Sequence, residues 1–234
     1  MDKMNAVAVI TARGGSKRIP GKNKKEFLGK PIMVYSIEAA LKSGLFSEVM
    51  VSTDDEEIAE IARKNGAMVP FMRSEKTAND YATTLDVLNE VVSEYEKLNK
   101  HFDYLCCIYP TAPFITPKAL SEAMQTLCDK KADAVIPVVK FSFPPQRCMI
   151  VDNDVLKAKW PEYTQMRSQD LEPYYHDCGQ FYCLNVEAFK TQKKIMMDKV
   201  LPFYQDEINV QDIDTMEDWA IAEMKYKILH SKDE

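Results

Sequence analysis

Short apolar runs that alternate with amphipathic stretches through the first 140 residues leave few folds open to this chain. Ala6-Val7-Ala8-Val9-Ile10, Tyr104-Leu105-Cys106-Cys107-Ile108 and Ala134-Val135-Ile136-Pro137-Val138-Val139 are too short for buried helices and unbroken by charge, as strands covered on both faces are. Glu48–Ser52 reads as a further strand and Ala67–Phe71 as a short one. Helical spacing connects them: Pro31 to Lys42 with Gly44 beyond its end, and Asp55 to Lys64 with Ile58, Ile61 and Ala62 inward and Gly66 as the stop. A helix capped by Thr83 carries Leu85, Leu88, Val92, Tyr95 and Leu98 on one stripe, and another runs from Thr116-Pro117 to Cys128. The pattern predicts an α/β, doubly wound, mostly parallel sheet. Gly179–Leu184 returns to that sheet, and Thr215 opens a terminal helix through Trp219, Ile221 and Met224. Residues 141–180 break the alternation with Phe143-Pro144-Pro145, Trp160-Pro161 and short β-like pieces around Asp152-Asn153-Asp154. They read as a small β-rich insertion in a single domain spanning 1–234.

The segment leaving the first run is Arg13-Gly14-Gly15-Ser16-Lys17-Arg18-Ile19-Pro20-Gly21-Lys22-Asn23. Glycines let backbone N–H groups approach an anion, and the clustered cations neutralise a polyphosphate. The segment is not a Walker A loop, because five residues separate Gly15 from Gly21 and Asn23 follows Lys22; nor does it contain G-x-G-x-x-G. The rest of the chain does not share its charge. Net charge is −6, which argues against general nucleic-acid or membrane-surface binding. No apolar run reaches the roughly 18–20 residues of a membrane helix, and Met1–Asn5 leads into a strand too short for a signal segment, so a cytoplasmic location is expected. The six cysteines contain no C-x-x-C pair, and Cys106-Cys107 sit inside an apolar run, so they read as reduced packing residues. His176, Cys178 and Cys183 lack the paired spacing of structural zinc sites.

In an open α/β sheet, ligands bind beyond the carboxyl ends of the strands, where the Arg13 loop, Ser52-Thr53-Asp54, Arg73, Tyr109-Pro110-Thr111 and Gln211-Asp212-Ile213-Asp214 all fall. Asp212 and Asp214 are two apart in an extended stretch, so both carboxylates share a face. Such a pair suits Mg²⁺, which takes one or two carboxylates plus substrate phosphates and water. Asp218, by contrast, belongs to a capping box with Thr215. A phosphate cradle beside a metal pair points to phosphoryl or nucleotidyl transfer.

The run Ile10 to Asn23 resembles the signature of the sugar-acid cytidylyltransferases, the CMP-sialic acid synthetase group; Val51-Ser52-Thr53-Asp54, Pro110-Thr111-Ala112-Pro113 and Asp212-Ile213-Asp214-Thr215 resemble its later motifs in the same order. The resemblance implies an Mg²⁺-dependent enzyme that joins CTP to a nine-carbon keto-sugar acid, releasing pyrophosphate. It assigns catalytic roles to Arg13, Lys22 and Asp214, and nucleotide contacts to Gly14, Gly15, Ser16, Lys17, Asn23, Arg73, Asp80 and Thr84. It places the metal on Asp212 and Asp214 and the sugar near Tyr109, Thr111, His176, Gly179 and Gln180. The anomeric hydroxyl would attack the α-phosphorus. Residues 141–180 resemble the family's dimerisation segment, which reaches toward the partner's active site, so a homodimer is expected.

Two departures select a branch. Tyr109 stands where the sialic acid enzymes carry Gln, and His176-Asp177-Cys178-Gly179 where they carry Arg-Pro-Asn-Gly. With Arg167–Leu171 and Tyr175–Tyr182, these residues resemble the pseudaminic acid branch instead. The lost guanidinium leaves the sugar carboxylate to another partner, Arg167 or Lys159. The alternatives are synthetases for CMP-N-acetylneuraminic, CMP-legionaminic or CMP-Kdo acid, or an idle nucleotide-binding subunit.

Overall fold

The computed structural model describes residues 4–231; the expectation for Met1–Lys3 falls outside them. The elements are, in chain order, β1 (Ala6–Thr11), β2 (Glu26–Phe27), β3 (Lys30–Pro31), α1 (Ile32–Ser43), β4 (Glu48–Ser52), α2 (Glu56–Lys64), α3 (Glu75–Ala78), α4 (Thr84–Lys97), β5 (Tyr104–Ile108), α5 (Pro117–Asp129) and β6 (Ala134–Lys140). β7 (Met149–Asp152), β8 (Val155–Ala158), β9 (Tyr175–Asp177), β10 (Phe181–Asn185), α6 (Val186–Gln192), β11 (Val200–Gln205) and α7 (Met216–His230) complete the chain. The central sheet has the order β11-β6-β10-β5-β1-β4, with β9 beside β6. β1 runs parallel to β4 and β5, β11 runs parallel to β6, and β10 lies antiparallel between β5 and β6. The sheet is therefore α/β and mostly parallel, with one reversed strand near its middle.

Both faces are covered. Ala8, Ile10, Val51, Cys106 and Ile108 meet Met33 and Ile37 of α1, Ile58 of α2 and Leu120 and Met124 of α5. On the other side Val7, Val9, Leu105 and Leu184 meet Leu88, Val91 and Tyr95 of α4 and Phe189 of α6. Each fully buried aliphatic side chain contributes about 1.5–3 kcal/mol, so this two-faced burial is what makes the sheet the centre of the fold. Caps fix the helix starts: Thr83 and Thr215 form capping boxes with Asp86 and Asp218, and Thr116 accepts from the Ala119 N–H at 3.1 Å.

Three expectations need correction. Ala67–Phe71 is no strand: Met68 bridges Met50, and the chain then leaves the sheet at Pro70, which has no N–H to continue a ladder. The buried stripe of α4 is Val87, Leu88, Val91 and Tyr95, while Leu98 caps the helix and is 53% exposed. Leu85 and Val92 pack partly buried against the same core, so the stripe holds except at Leu98, while Thr84 and Val87 line a cleft. Residues 141–180 are not wholly outside the sheet, since β9 pairs with β6. Their projecting part is the β7–β8 hairpin, whose turn places Asn153 and Asp154 at positive φ.

β9 and β10 form one long strand with an interruption. From Asp177 opposite Val138 to Cys183 opposite Val135, it advances six residues while β6 advances three. Pro137 of β6 sits beside the interruption, where its missing N–H costs no ladder bond, and its carbonyl accepts from the Cys178 N–H at 3.1 Å. Gly179 turns the chain there at φ +61°. The side chains of Asp177 and Tyr182, five apart in sequence, are thereby brought onto the same face of the sheet, and their polar atoms meet at 2.5 Å.

Candidate active site

A cleft of about 500 Å³ opens beyond the carboxyl ends of β1, β4 and β5. Its floor is Thr11 and Tyr109-Pro110-Thr111; one wall is the basic loop with Arg13, Gly15, Ser16, Lys17, Lys22 and Asn23, and the other holds Arg73, Asp80 and Thr84. Most of the residues assigned to nucleotide from sequence thus meet in one place.

Packing holds the loop. Gly14 approaches the start of α2 so closely that a Cβ there would stand 2.9 Å from Cβ of Asp55, and its N–H donates to Asp54 at 2.9 Å. Asp55 in turn caps α2 through the Ile58 N–H and pairs with Lys24. Gly14→Ala is expected to destabilise the protein by about 1–3 kcal/mol, the usual cost of overpacking. Thermal unfolding checks this, and CTP affinity should fall with the displaced loop. Further along, the Asn23 side chain donates to the Arg13 carbonyl at 2.8 Å, and Ile19 is buried with Phe27, Ile213 and Trp219. That cluster ties the loop to the segment that leads into α7.

The cations are arranged in two groups. At the mouth, Arg13 lies 2.8 Å from Asp80 and donates to the Asn79 carbonyl at 3.2 Å, and Lys17 pairs with the same Asp80. Hydrogen bonds from Lys17 and Arg13 hold the Asp80 carboxyl below the usual carboxylate range. Deeper, the Lys22 ammonium donates to the Ile213 carbonyl at 2.6 Å and lies 3.5 Å from Asp214, which Arg18 meets at 2.8 Å. Arg73 is buried, only 7% exposed, with its guanidinium donating to Ser52 Oγ at 3.0 Å and the Ser52 carbonyl at 2.6 Å. Burial lowers its pKa, offset by Asp54 and Glu90. Its remaining terminal nitrogen has no protein hydrogen bond among the described residues, so it is available to a ligand.

Ile213 is buried between Asp212 and Asp214, which turns both acids to the opposite side. Partial enclosure, and then the neighbouring Asp214, push the Asp212 carboxyl above its ordinary value. Two repelling carboxylates beside a cation-lined cleft fit a hard divalent ion, whose charge relieves the repulsion. They lie outside the lining of the cleft itself and reach it through Lys22 and Arg18.

The sugar-side assignments divide. Tyr109 and Thr111 line the cleft. The buried Gln180 side chain donates to the Asn209 carbonyl at 2.6 Å, while the Gln180 main-chain carbonyl accepts from the Tyr109 N–H at 2.8 Å, so its backbone supports Tyr109 from behind. Gly179 serves the strand interruption. His176 does not reach the cleft: strand alternation turns it away from Asp177, and its ring packs on Phe141 at 4.7 Å. Arg167 is exposed and paired with Asp170 at 2.8 Å, outside the cleft lining, as is Lys159. Sequence reasoning missed Thr77 and Asn79 in the cleft wall and the pairing of Arg18 with Asp214. Only the basic character of Arg18 was visible beforehand.

A sheet of this order with a cation-lined cleft at its strand ends defines a nucleotide-handling α/β protein. Solved structures share the fold: a CMP-2-keto-3-deoxy-manno-octonic acid synthetase complexed with CTP superposes with a TM-score of 0.66 at 20% identity, covering 97% of this chain and 99% of that one. A 4-diphosphocytidyl-2C-methyl-D-erythritol synthase from Anaerococcus prevotii does so with a TM-score of 0.67 at 15% identity, covering 96% and 99%. Residues 7–210 match the family described as Cytidylyltransferase, and the chain belongs to that family. It is 37% identical over 228 residues to a pseudaminic acid cytidylyltransferase of Campylobacter jejuni, covering 97% of this chain and 98% of the relative. To a CMP-N,N'-diacetyllegionaminic acid synthase of Legionella pneumophila it is 33% identical over 227 residues, covering 94% and 95%.

Proposed function

We propose that the protein transfers the cytidylyl group of CTP to pseudaminic acid, giving CMP-pseudaminic acid and pyrophosphate. The observation that carries this reading is the convergence of Arg13, Lys17, Lys22 and Arg73 on one cleft in a chain of this family. The similarity to the Campylobacter jejuni enzyme, which spans nearly both chains, supports pseudaminic acid as the acceptor. The anomeric oxygen of the sugar forms a bond to the α-phosphorus while the bond to the bridging β-phosphate oxygen breaks, and the hydroxyl proton is released. The basic loop binds the triphosphate. Arg13 and Lys17, held together by Asp80, exchange that carboxylate for phosphate, and Lys22 neutralises the departing pyrophosphate. Arg73 and Thr84 border the nucleoside side of the cleft.

Asp212 and Asp214 would hold Mg²⁺, which when bound neutralises phosphate charge. Incubation with CTP, pseudaminic acid and Mg²⁺ is expected to yield a CMP-linked sugar detected by mass, and chelation by EDTA should abolish it. Absence of a CMP adduct would overturn the reading. Among the described residues no helix is long and apolar enough to cross a membrane, and consumption of CTP fits a cytoplasmic enzyme.

The projecting hairpin fits a homodimer. Met149, Val151 and Leu156 are exposed, Val151 by 71%, which a second copy of the chain would cover. Light scattering is expected to show a dimer for the native chain and a monomer for Val151→Asp/Leu156→Asp; a native monomer would contradict this.

A further inference from the structure

Behind Tyr109 runs a chain of hydroxyl groups that ends on a carboxylate, and its direction is fixed by which groups carry protons. Asp177 accepts from the Gly179 N–H through Oδ1 at 2.6 Å and from the Tyr182 hydroxyl through Oδ2 at 2.5 Å. A carboxylate has no proton to give, so Tyr182 must be the donor. Its oxygen then accepts from the Tyr109 hydroxyl at 3.4 Å. With its one proton spent, Tyr109 can only accept from the Thr84 hydroxyl, 3.2 Å away on the opposite side. The two tyrosine rings pack edge to face at 5.6 Å, which keeps the hydroxyls in register. Tyr109 and Thr84 line the cleft, whereas Tyr182 and Asp177 do not.

We propose that Asp177 and Tyr182 are positioning residues which hold the Tyr109 hydroxyl as a hydrogen-bond acceptor toward the cleft, so that it selects an amide N–H or hydroxyl donor on the bound sugar acid. The proposal rests on the sugar-acid reading of this cleft and deepens it. Burial, with Tyr109 alongside, raises the Tyr182 pKa far above its ordinary value, which keeps the proton on the relay at working pH. Burial likewise raises that of Tyr109. With its proton spent on Tyr182, Tyr109 cannot donate to the ligand, so a sugar group that can only accept is penalised there, because it is then left dry and unpaired.

The test uses Tyr182→Phe, which keeps the ring and its packing and removes only the relay oxygen. KM for pseudaminic acid is expected to rise about tenfold, the scale of one lost hydrogen bond, with KM for CTP unchanged. Tyr109→Phe should give a similar rise, and the double variant no more than either alone, as expected of coupled groups. Methylating a sugar amide nitrogen should weaken the native enzyme and leave Tyr109→Phe indifferent. An unchanged sugar KM in Tyr182→Phe, an equal rise in both KM values, or additive effects in the double variant would each overturn the relay. Failure of the native enzyme to use pseudaminic acid, with turnover of another sugar acid, would instead overturn the acceptor assignment, and the same series run with that acid would still read the relay.

Discussion

Lys22→Ala is expected to lower kcat/KM for CTP by about 100- to 1000-fold, the cost of losing one preorganised charge aimed where negative charge develops. Lys22 is the point where three parts of the site meet. It lines the cleft, its ammonium donates to the Ile213 carbonyl at 2.6 Å, and Asp214 lies 3.5 Å away. Removal therefore takes a cation from the phosphate wall and frees the Asp212–Asp214 segment from the loop. Most of the loss should fall on kcat, because the leaving pyrophosphate carries more charge than the bound triphosphate at the broken bond. The ion pair of Lys22 with Asp214 is long and partly exposed, so the stability loss should be small by comparison. A variant that kept kcat and only unfolded at lower temperature would show that Lys22 is a structural tie.

Asp214→Asn is expected to lower kcat/KM about 100-fold at fixed Mg²⁺, beyond the roughly tenfold minimum seen when an outer partner of a metal is lost. Part of that loss should be recovered by raising the Mg²⁺ concentration. Asp214 receives Arg18 and Lys22 and stands beside Asp212, so its charge balances the loop as well as the proposed ion. Asp212→Asn should show the same metal dependence without loosening the loop, because no cation pairs with Asp212 among the described residues. Full activity of Asp214→Asn would remove the metal assignment.

The parts of this site that lie on one stretch of chain were legible in the sequence. The apolar run of β1 leads straight into the glycine-rich loop, and the Thr83, Thr116 and Thr215 caps announce their helices by local chemistry alone. β11 was not legible: Val200-Leu201-Pro202-Phe203-Tyr204 carries a proline in its middle, tolerated because β11 is an edge strand paired on one side to β6. The reversal of β10 and the interruption after β9 escaped for a different reason. They depend on register against β6, set by pairing between residues tens of positions apart, and no local pattern encodes it. Asp177 therefore read as part of a sugar-binding motif with His176, although the strand interruption turns Asp177 toward Tyr182 and leaves His176 on Phe141.

Pyrophosphate release with CTP and Mg²⁺, measured in parallel with pseudaminic, N-acetylneuraminic, legionaminic and Kdo acids, tests the central claim most directly. Turnover of pseudaminic acid well above the other three is the expected result. Preference for another acid would keep cytidylyl transfer but contradict the sugar assignment at Tyr109, and silence with all four would contradict the proposed reaction itself.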